Sequence, residues 1–281
     1  MRKIFQTAVA AVALVIGFTG SVQAAGSTGA TDKSHEIAPG VFSFLSASGY
    51  HSMFAVTDDG VAAFETVNSK HSAAMIKAIR KITDKPIRYA LHTHNHWDHA
   101  SGGKVMQEAG AKTVMHKLAA EYIAANPGRD TATPDLIWEG KLREIKLGGL
   151  TIQMHYLGMN HGLGMTVFVI PERRVAYIGD LVTPNRVMFS IVPDFNLKEW
   201  ERSLGEILDL EFDVAVCSHN DLPVEEAMKG CTKKHVSEER AFMQDLRMAI
   251  FAEFKKGTPP GKVPSMIKLP KYAHWNHYED W

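Results

Sequence analysis

Three histidines and one aspartate crowd into Thr93-His94-Asn95-His96-Trp97-Asp98-His99, at the spacing H-x-H-x-D-H. Neutral imidazoles suit Zn²⁺, Fe and Mn, and a carboxylate adds a hard anionic ligand. So many polar side chains in one small volume cost stability unless something binds them together, and a metal is the natural candidate. A histidine-rich loop without metal is the bland alternative, and it does not require so demanding a spacing. The spacing suggests two metal positions roughly 3.5–4 Å apart rather than one closed structural site.

The flanking elements must position these residues. Ile87–Leu91 is β-prone, and Ala100-Ser101-Gly102-Gly103 reads as a loop opening a helix over 104–109. The cluster therefore sits on a strand-to-helix loop, where a rigid scaffold displays functional groups. On a strand end His94 and His96 would share one face, because side chains alternate, while Asp98 and His99 follow the turn. Three later residues sit where other apolar runs end. His161 lies in the glycine-rich turn Gly158–Gly164, Asp180 closes Ala176–Asp180, and His219 follows Val214–Val216.

The remaining pattern reads as strands over 41–45, 52–57 and 61–65, with Asp58-Asp59-Gly60 as a hairpin turn. A helix is expected over 73–82, a strand over 113–115, a helix over 118–125 and an aperiodic loop over 126–134. Strands follow over 142–145, 150–156, 165–170 and 175–178, then a helix over 197–208 and a strand over 212–216. Residues 225–255 read as mostly helical with a break near Gly230. Phe242, Leu246, Ile250 and Phe254 form a stripe assigned to core packing. Tyr272, Trp275, Tyr278 and Trp281 recur every three residues and suggest a docking tail. There is no internal repeat. This order predicts an α/β fold of two β-sheets packed face to face with helices outside.

The first residues resemble a secretory signal: basic Arg2 and Lys3, an apolar run from Thr7 to Phe18, and small residues ending at Ala24, where cleavage is expected. An uncleaved anchor is the alternative. The expected organisation is a signal peptide over 1–24, a flexible linker over 25–35, and one domain over 36–281 with a C-terminal helical extension and aromatic tail. Removing Arg2 and Lys3 takes the formal charge from zero to −2. No basic cluster marks a nucleic-acid partner. No later stretch is apolar enough for stable membrane insertion after cleavage. Cys217 and Cys231 are the only cysteines. In an exported protein they could pair, and separate thiols are the equal alternative.

With these residues in view, the chain resembles the metallo-β-lactamase fold superfamily. The resemblance rests on Thr-His-x-His-x-Asp-His at 93–99, His-x-x-Gly at 161–164, Gly-Asp at 179–180, and His219 after a late strand. It implies an αββα sandwich. It implies one divalent metal on His94, His96 and His161, a second on Asp98, His99 and His219, and Asp180 bridging both. Zn²⁺ is the first expectation for the two ions, with Fe or Mn as alternatives. A bridging aspartate is more similar to glyoxalase II and lactonase-like members than to true zinc β-lactamases. Glu65 stands where an aspartate often buttresses a metal-bound histidine. The implied activity is a periplasmic or secreted hydrolase acting on a small-molecule ester, thioester, lactone or β-lactam. In it a metal-bridging hydroxide attacks and Asp98 orients that hydroxide and takes its proton. Asn185 and Arg186 are candidate contacts for an anionic substrate group. Two other readings are a mononuclear iron enzyme like persulfide dioxygenases, and a non-catalytic periplasmic accessory of a quinoprotein oxidation system.

Overall fold

The structure is a computed structural model that describes residues 32–128, 130–189 and 194–280. The expected signal peptide, most of the linker and Trp281 lie outside the described residues. The first sheet contains β1 (Lys33–Ala38), β2 (Val41–Leu45), β3 (His51–Thr57), β4 (Gly60–Phe64), β5 (Ile87–Leu91), β6 (Lys112–His116) and β7 (Leu136–Trp138), paired in that order. β1 to β4 form an antiparallel meander, and Asp58-Asp59 makes the tight β3–β4 turn between paired Thr57 and Gly60. From β4 onward the strands run parallel. Parallel pairing requires crossovers. These run through α1 (Ser69–Ile82), and through α2 (Trp97–Ala100) with α3 (Gly103–Glu108). The third runs through α4 (Lys117–Ala125).

The second sheet is ordered β12-β11-β10-β9-β8, from β8 (Leu142–Leu147), β9 (Leu150–Tyr156), β10 (Thr166–Ile170), β11 (Val175–Gly179) and β12 (Val214–Cys217). β11 and β12 are parallel, joined through α5 (Leu197–Asp209), and the other pairs are antiparallel. Between the sheets, Met53, Phe64 and Leu91 of one face pack with Met154, Phe168, Tyr177 and Val216 of the other. On the outer face of the first sheet, Met75 and Ile79 of α1 pack on Phe44, Phe54 and Ala63. On the outer face of the second, Trp200 and Leu204 of α5 pack on Val167 and Ile178, together with α7 (Lys233–Lys255). Two mixed sheets with helices on both outer faces form the expected αββα sandwich.

Local chemistry sets several boundaries. Asn68 caps α1 by accepting from the His71 amide, so the helix begins at Ser69 rather than at 73. The pattern missed α2 and β7, because four and three residues are too short to show a period. β1 begins at Lys33, inside the expected linker, because it pairs in register with β2. β5 ends at Leu91, so His94 and His96 lie on a loop and do not share a strand face. The chain after β12 forms a short α6 (Val224–Ala227), turns at Gly230 with φ +89°, and enters α7. Cys217 and Cys231 form a disulfide across this return.

The expected stripe of α7 is only half core. Phe242 and Leu246 are buried, Ile250 is partly so, and Phe254 is 46% exposed. Tyr272 and Trp275 dock their rings on Phe242 at 5.0 and 5.4 Å, so the aromatic tail packs on this domain. Phe242→Ala should therefore cost about 3–5 kcal/mol, the range for emptying a buried aromatic position. Phe254→Ala should cost no more than about 1 kcal/mol. Urea unfolding of the two variants measures the difference, and equal losses would contradict this packing.

Candidate metal centre

All seven candidate ligands converge at one end of the sandwich. The sheets are stitched together there. The Tyr177 hydroxyl donates to the His51 carbonyl at 3.0 Å and lies 2.7 Å from Ser218 Oγ, while the His51 amide donates to the Ser218 carbonyl. The Thr166 amide donates to the Thr93 carbonyl at 2.8 Å, tying the start of β10 to the histidine loop. Residues 92–99 from the first sheet, and His161, Asp180 and His219 from the second, are thereby brought into one volume.

His94, His96 and His161 place one nitrogen each within 4.8 Å of the others, and Asp98, His99 and His219 form a second such group. Asp180 lies between. Its Oδ2 is 3.0 Å from His99 Nε2, 3.3 Å from His161 Nε2 and 3.4 Å from His219 Nε2, so one carboxylate touches members of both groups. Burial opposes its charge, but the surrounding imidazoles outweigh this and hold it well below the usual carboxylate range. His94 and His161 are pushed down, first by burial, His161 to about 4, so both favour the neutral, metal-binding form.

The donor set fits metal. His94 Nε2, His99 Nε2, both His161 nitrogens and Asp180 Oδ1 are buried and have no hydrogen-bond partner among the described residues. Each orphaned buried group costs about 1–3 kcal/mol. A divalent cation on each group would satisfy one nitrogen each of His94, His99 and His161 together with the Asp180 oxygen.

Outer contacts fix the ligands. Thr93 Oγ1 donates to Glu65 Oε2 and lies 2.7 Å from His94 Nδ1. A hydroxyl has one proton, so with that proton on Glu65 the oxygen accepts from His94 Nδ1–H, which leaves the Nε2 lone pair for metal. Glu65 Oε2 is also 3.4 Å from His99 Nδ1. Glu65 takes φ +70° and Val67 φ +59°, conformations costing about 1–3 kcal/mol each for residues with a Cβ. The Tyr50 hydroxyl donates to Asp98 Oδ2 at 2.9 Å, and its ring packs on His99 and His219. Burial foremost, then the Asp98 charge, raises the Tyr50 pKa, so the phenol stays a donor.

Sequence reasoning missed Tyr50, Thr93, Asn95 and Asp194. Asn95 Oδ1 accepts from the Leu163 amide at 2.7 Å, and Asp194 sits against His96. Only Thr93 and Asn95, inside the motif, offered a signal. Asn185 and Arg186 are placed otherwise than expected. Asn185 Nδ2 donates to the Asp221 carbonyl at 3.3 Å, and Arg186 pairs with the Asp221 carboxylate at 3.3 Å and stacks over Phe189. They brace the loops that follow Asp180 and His219, while Arg186 Nε is buried without a hydrogen-bond partner among the described residues. The disulfide removes Cys217 as a possible ligand. His92 meets Thr66 Oγ1 at 3.2 Å, and His116 stacks on Tyr156.

Residues 48–219 match the metallo-beta-lactamase superfamily. Over 185 residues, 65% of this chain, it is 29% identical to the 2,4-dinitroanisole O-demethylase subunit alpha of Nocardioides sp. (strain JS1661), of which it spans 54%. A metallo-beta-lactamase from Pontibacter korlensis superposes with TM-score 0.66 at 20% identity, covering 76% of this chain and 99% of its own. A double mutant of the sec-alkyl sulfatase PisA1 superposes with TM-score 0.72 at 14% identity, covering 87% and 47% respectively.

Glu239 on α7 supports the same loop: it is buried and hydrogen-bonded with the backbone of Thr183, three residues past Asp180. Burial pushes its carboxyl from 4.5 up to about 8. A carboxyl whose folded pKa is raised contributes fully below its unfolded pKa, and that contribution is lost as pH rises through the folded value. The protein should lose stability between about pH 5 and 9, and Glu239→Gln should flatten the decline. Melting temperatures across that range decide it: parallel curves for the two proteins would refute the assignment.

Proposed function

Because the chain belongs to the metallo-beta-lactamase superfamily, we propose that it is an exported, binuclear metal-dependent hydrolase acting on a small-molecule ester, thioester, lactone or lactam. The observation that carries this reading is the single Asp180 carboxylate set among His99, His161 and His219, where His94, His99 and His161 also keep buried nitrogens without a hydrogen-bond partner among the described residues. His94, His96 and His161 would hold one ion, Asp98, His99 and His219 the other, with Asp180 common to both and Zn²⁺ the first expectation. Such ions would supply Lewis acidity and a water acidified toward neutral pH. Asp98, with its side chain 52% exposed, faces solvent at the edge of the cluster. Its ionised carboxylate accepts a hydrogen bond from the attacking water and takes its proton. Tyr50 holds that carboxylate in place, and Glu65 holds His99.

A second reading draws on the curated relative, whose name describes removal of the methyl group from an aryl methyl ether by one subunit of an assembly. Activated aryl methyl ethers therefore join esters, thioesters, lactones and lactams as candidate substrates, and a partner subunit becomes a candidate requirement. The Arg2-Lys3 start and the apolar run after it support export. Material from the periplasm should begin at Ala25, which N-terminal sequencing reads directly. An intact Met1 in the membrane fraction would show an anchor instead.

Elemental analysis of purified protein should find close to two divalent ions per chain, and His219→Ala should lower the content toward one. One ion in fully loaded wild type, unchanged in His219→Ala, would end the binuclear reading. On a substrate found by screening esters, thioesters, lactones and lactams for hydrolysis, Asp98→Asn should lower kcat at least about 10²-fold. Ions on the His94, His96 and His161 group should survive that change. Wild-type turnover by Asp98→Asn would overturn the role given to this carboxylate.

A further inference from the structure

The segment Asp194-Phe195-Asn196 crosses the first histidine group from outside. His96 Nε2 lies 3.1 and 3.0 Å from the two oxygens of Asp194. The Phe195 ring packs on His161 at 4.5 Å and on Trp200 at 4.6 Å. Asn196 caps α5 by accepting from the Glu199 amide, and its own amide donates to the Asn160 carbonyl, beside His161. Three consecutive residues thus hold two of the three histidines of this group, and the α5 cap anchors them to the second sheet. Asn95, between His94 and His96, also hydrogen-bonds Asp194 through its side chain.

We propose that Asp194 is a positioning residue that selects the tautomer of His96, and that Asp194-Phe195-Asn196 forms the outer support of the first metal site. This rests on the metal-binding reading above. An ionised carboxylate only accepts, so the nitrogen facing it must carry the proton. With Nε2–H committed to Asp194, the lone pair of His96 is on Nδ1, the remaining nitrogen for the group with His94 and His161. His94 has the opposite arrangement, with Nδ1–H on Thr93 and Nε2 free. The two neighbouring histidines therefore present different nitrogens. That lets side chains two residues apart on an irregular loop meet at one point. Outer partners of this kind fix ring orientation and raise ligand basicity, and their loss costs about 10–100-fold in metal affinity.

The test uses the full chain with two readouts. In metal-stripped protein, long-range nitrogen–proton correlations of ¹⁵N-histidine should show His96 protonated at Nε2, with Asp194→Ala giving a mixture of tautomers. Chelator competition for Zn²⁺, in protein also carrying His219→Ala to isolate the first group, should show affinity falling about 10–100-fold in Asp194→Ala. Asp194→Asn should keep the tautomer, because the amide oxygen still accepts, and lose roughly several-fold in affinity as the charge is removed. Asp194→Ala with the wild-type tautomer and affinity would overturn the proposal. If Asp194→Ala does not fold, wild-type affinity in Asp194→Asn would do the same. A wild type that binds no Zn²⁺ would sink the metal-binding reading instead, and the tautomer measurement would still judge Asp194.

Discussion

A buried carboxylate shared by three imidazoles from separate chain segments is the constraint around which this fold is arranged. Asp180 Oδ2 lies 3.0 Å from His99, 3.3 Å from His161 and 3.4 Å from His219. Taking such a charge out of water costs several kcal/mol unless it is compensated closely. Compensation here needs residues of both sheets to meet at the same end of the sandwich. The Tyr177, His51 and Ser218 contacts and the Thr93–Thr166 hydrogen bond make that end rigid. A slip of one residue in β11 would turn the side chains along it to the other face and remove Asp180 from the site.

Close approach at the centre requires absent side chains. A Cβ on Gly162 would come 2.8 Å from Asn95 Oδ1 and 3.1 Å from His94 Cδ2, so the turn bearing His161 can reach the histidine loop only with glycine there. Gly179, at φ +57°, lets β11 turn sharply into Asp180, and a Cβ there would meet Met165 at 2.8 Å. Glu65 and Val67 take the same left-handed region without being glycine. Their strain is held by the buried contacts of Glu65 with Thr93 and His99 and by its backbone bond to Leu91. Strain of this kind clusters where a site must be preorganised.

The sheets and the seven converging residues were legible because strong local signals mark them. Alternating and continuous apolar runs marked ten of the twelve strands among the described residues, and each candidate ligand followed such a run or lay in the H-x-H-x-D-H loop. What was not legible depended on distance along the chain. Asp194 is 98 residues from His96, and Tyr50 is 48 from Asp98, and neither belongs to a spacing a single sequence displays. Arg186 read as a free cation because its partner Asp221 lies 35 residues on. Phe254 read as core because helical spacing says which face a residue occupies but not how far along the helix that face is covered.

The ligands of the centre differ in how they are enclosed, and that difference bears on chemistry. His94 and His161 are buried, with their orientation set by Thr93, Glu65 and Phe195. Asp98 and His219 are open to solvent in part, as is His96, and the rings of Tyr50 and Phe189 pack on His219. Buried ligands hold a geometry without reorganisation, whereas exposed ones leave room for a reacting molecule and for its displaced group. Asp98 joins the two requirements. Its neighbour in sequence, His99, is fully buried against Glu65 and Asp180, while its own carboxylate reaches the surface. The four-residue α2 makes this possible, since one helical step carries the chain from an inward imidazole to an outward carboxylate. The short helix, invisible to any periodicity, is therefore what turns a cluster of ligands into a site with an entrance.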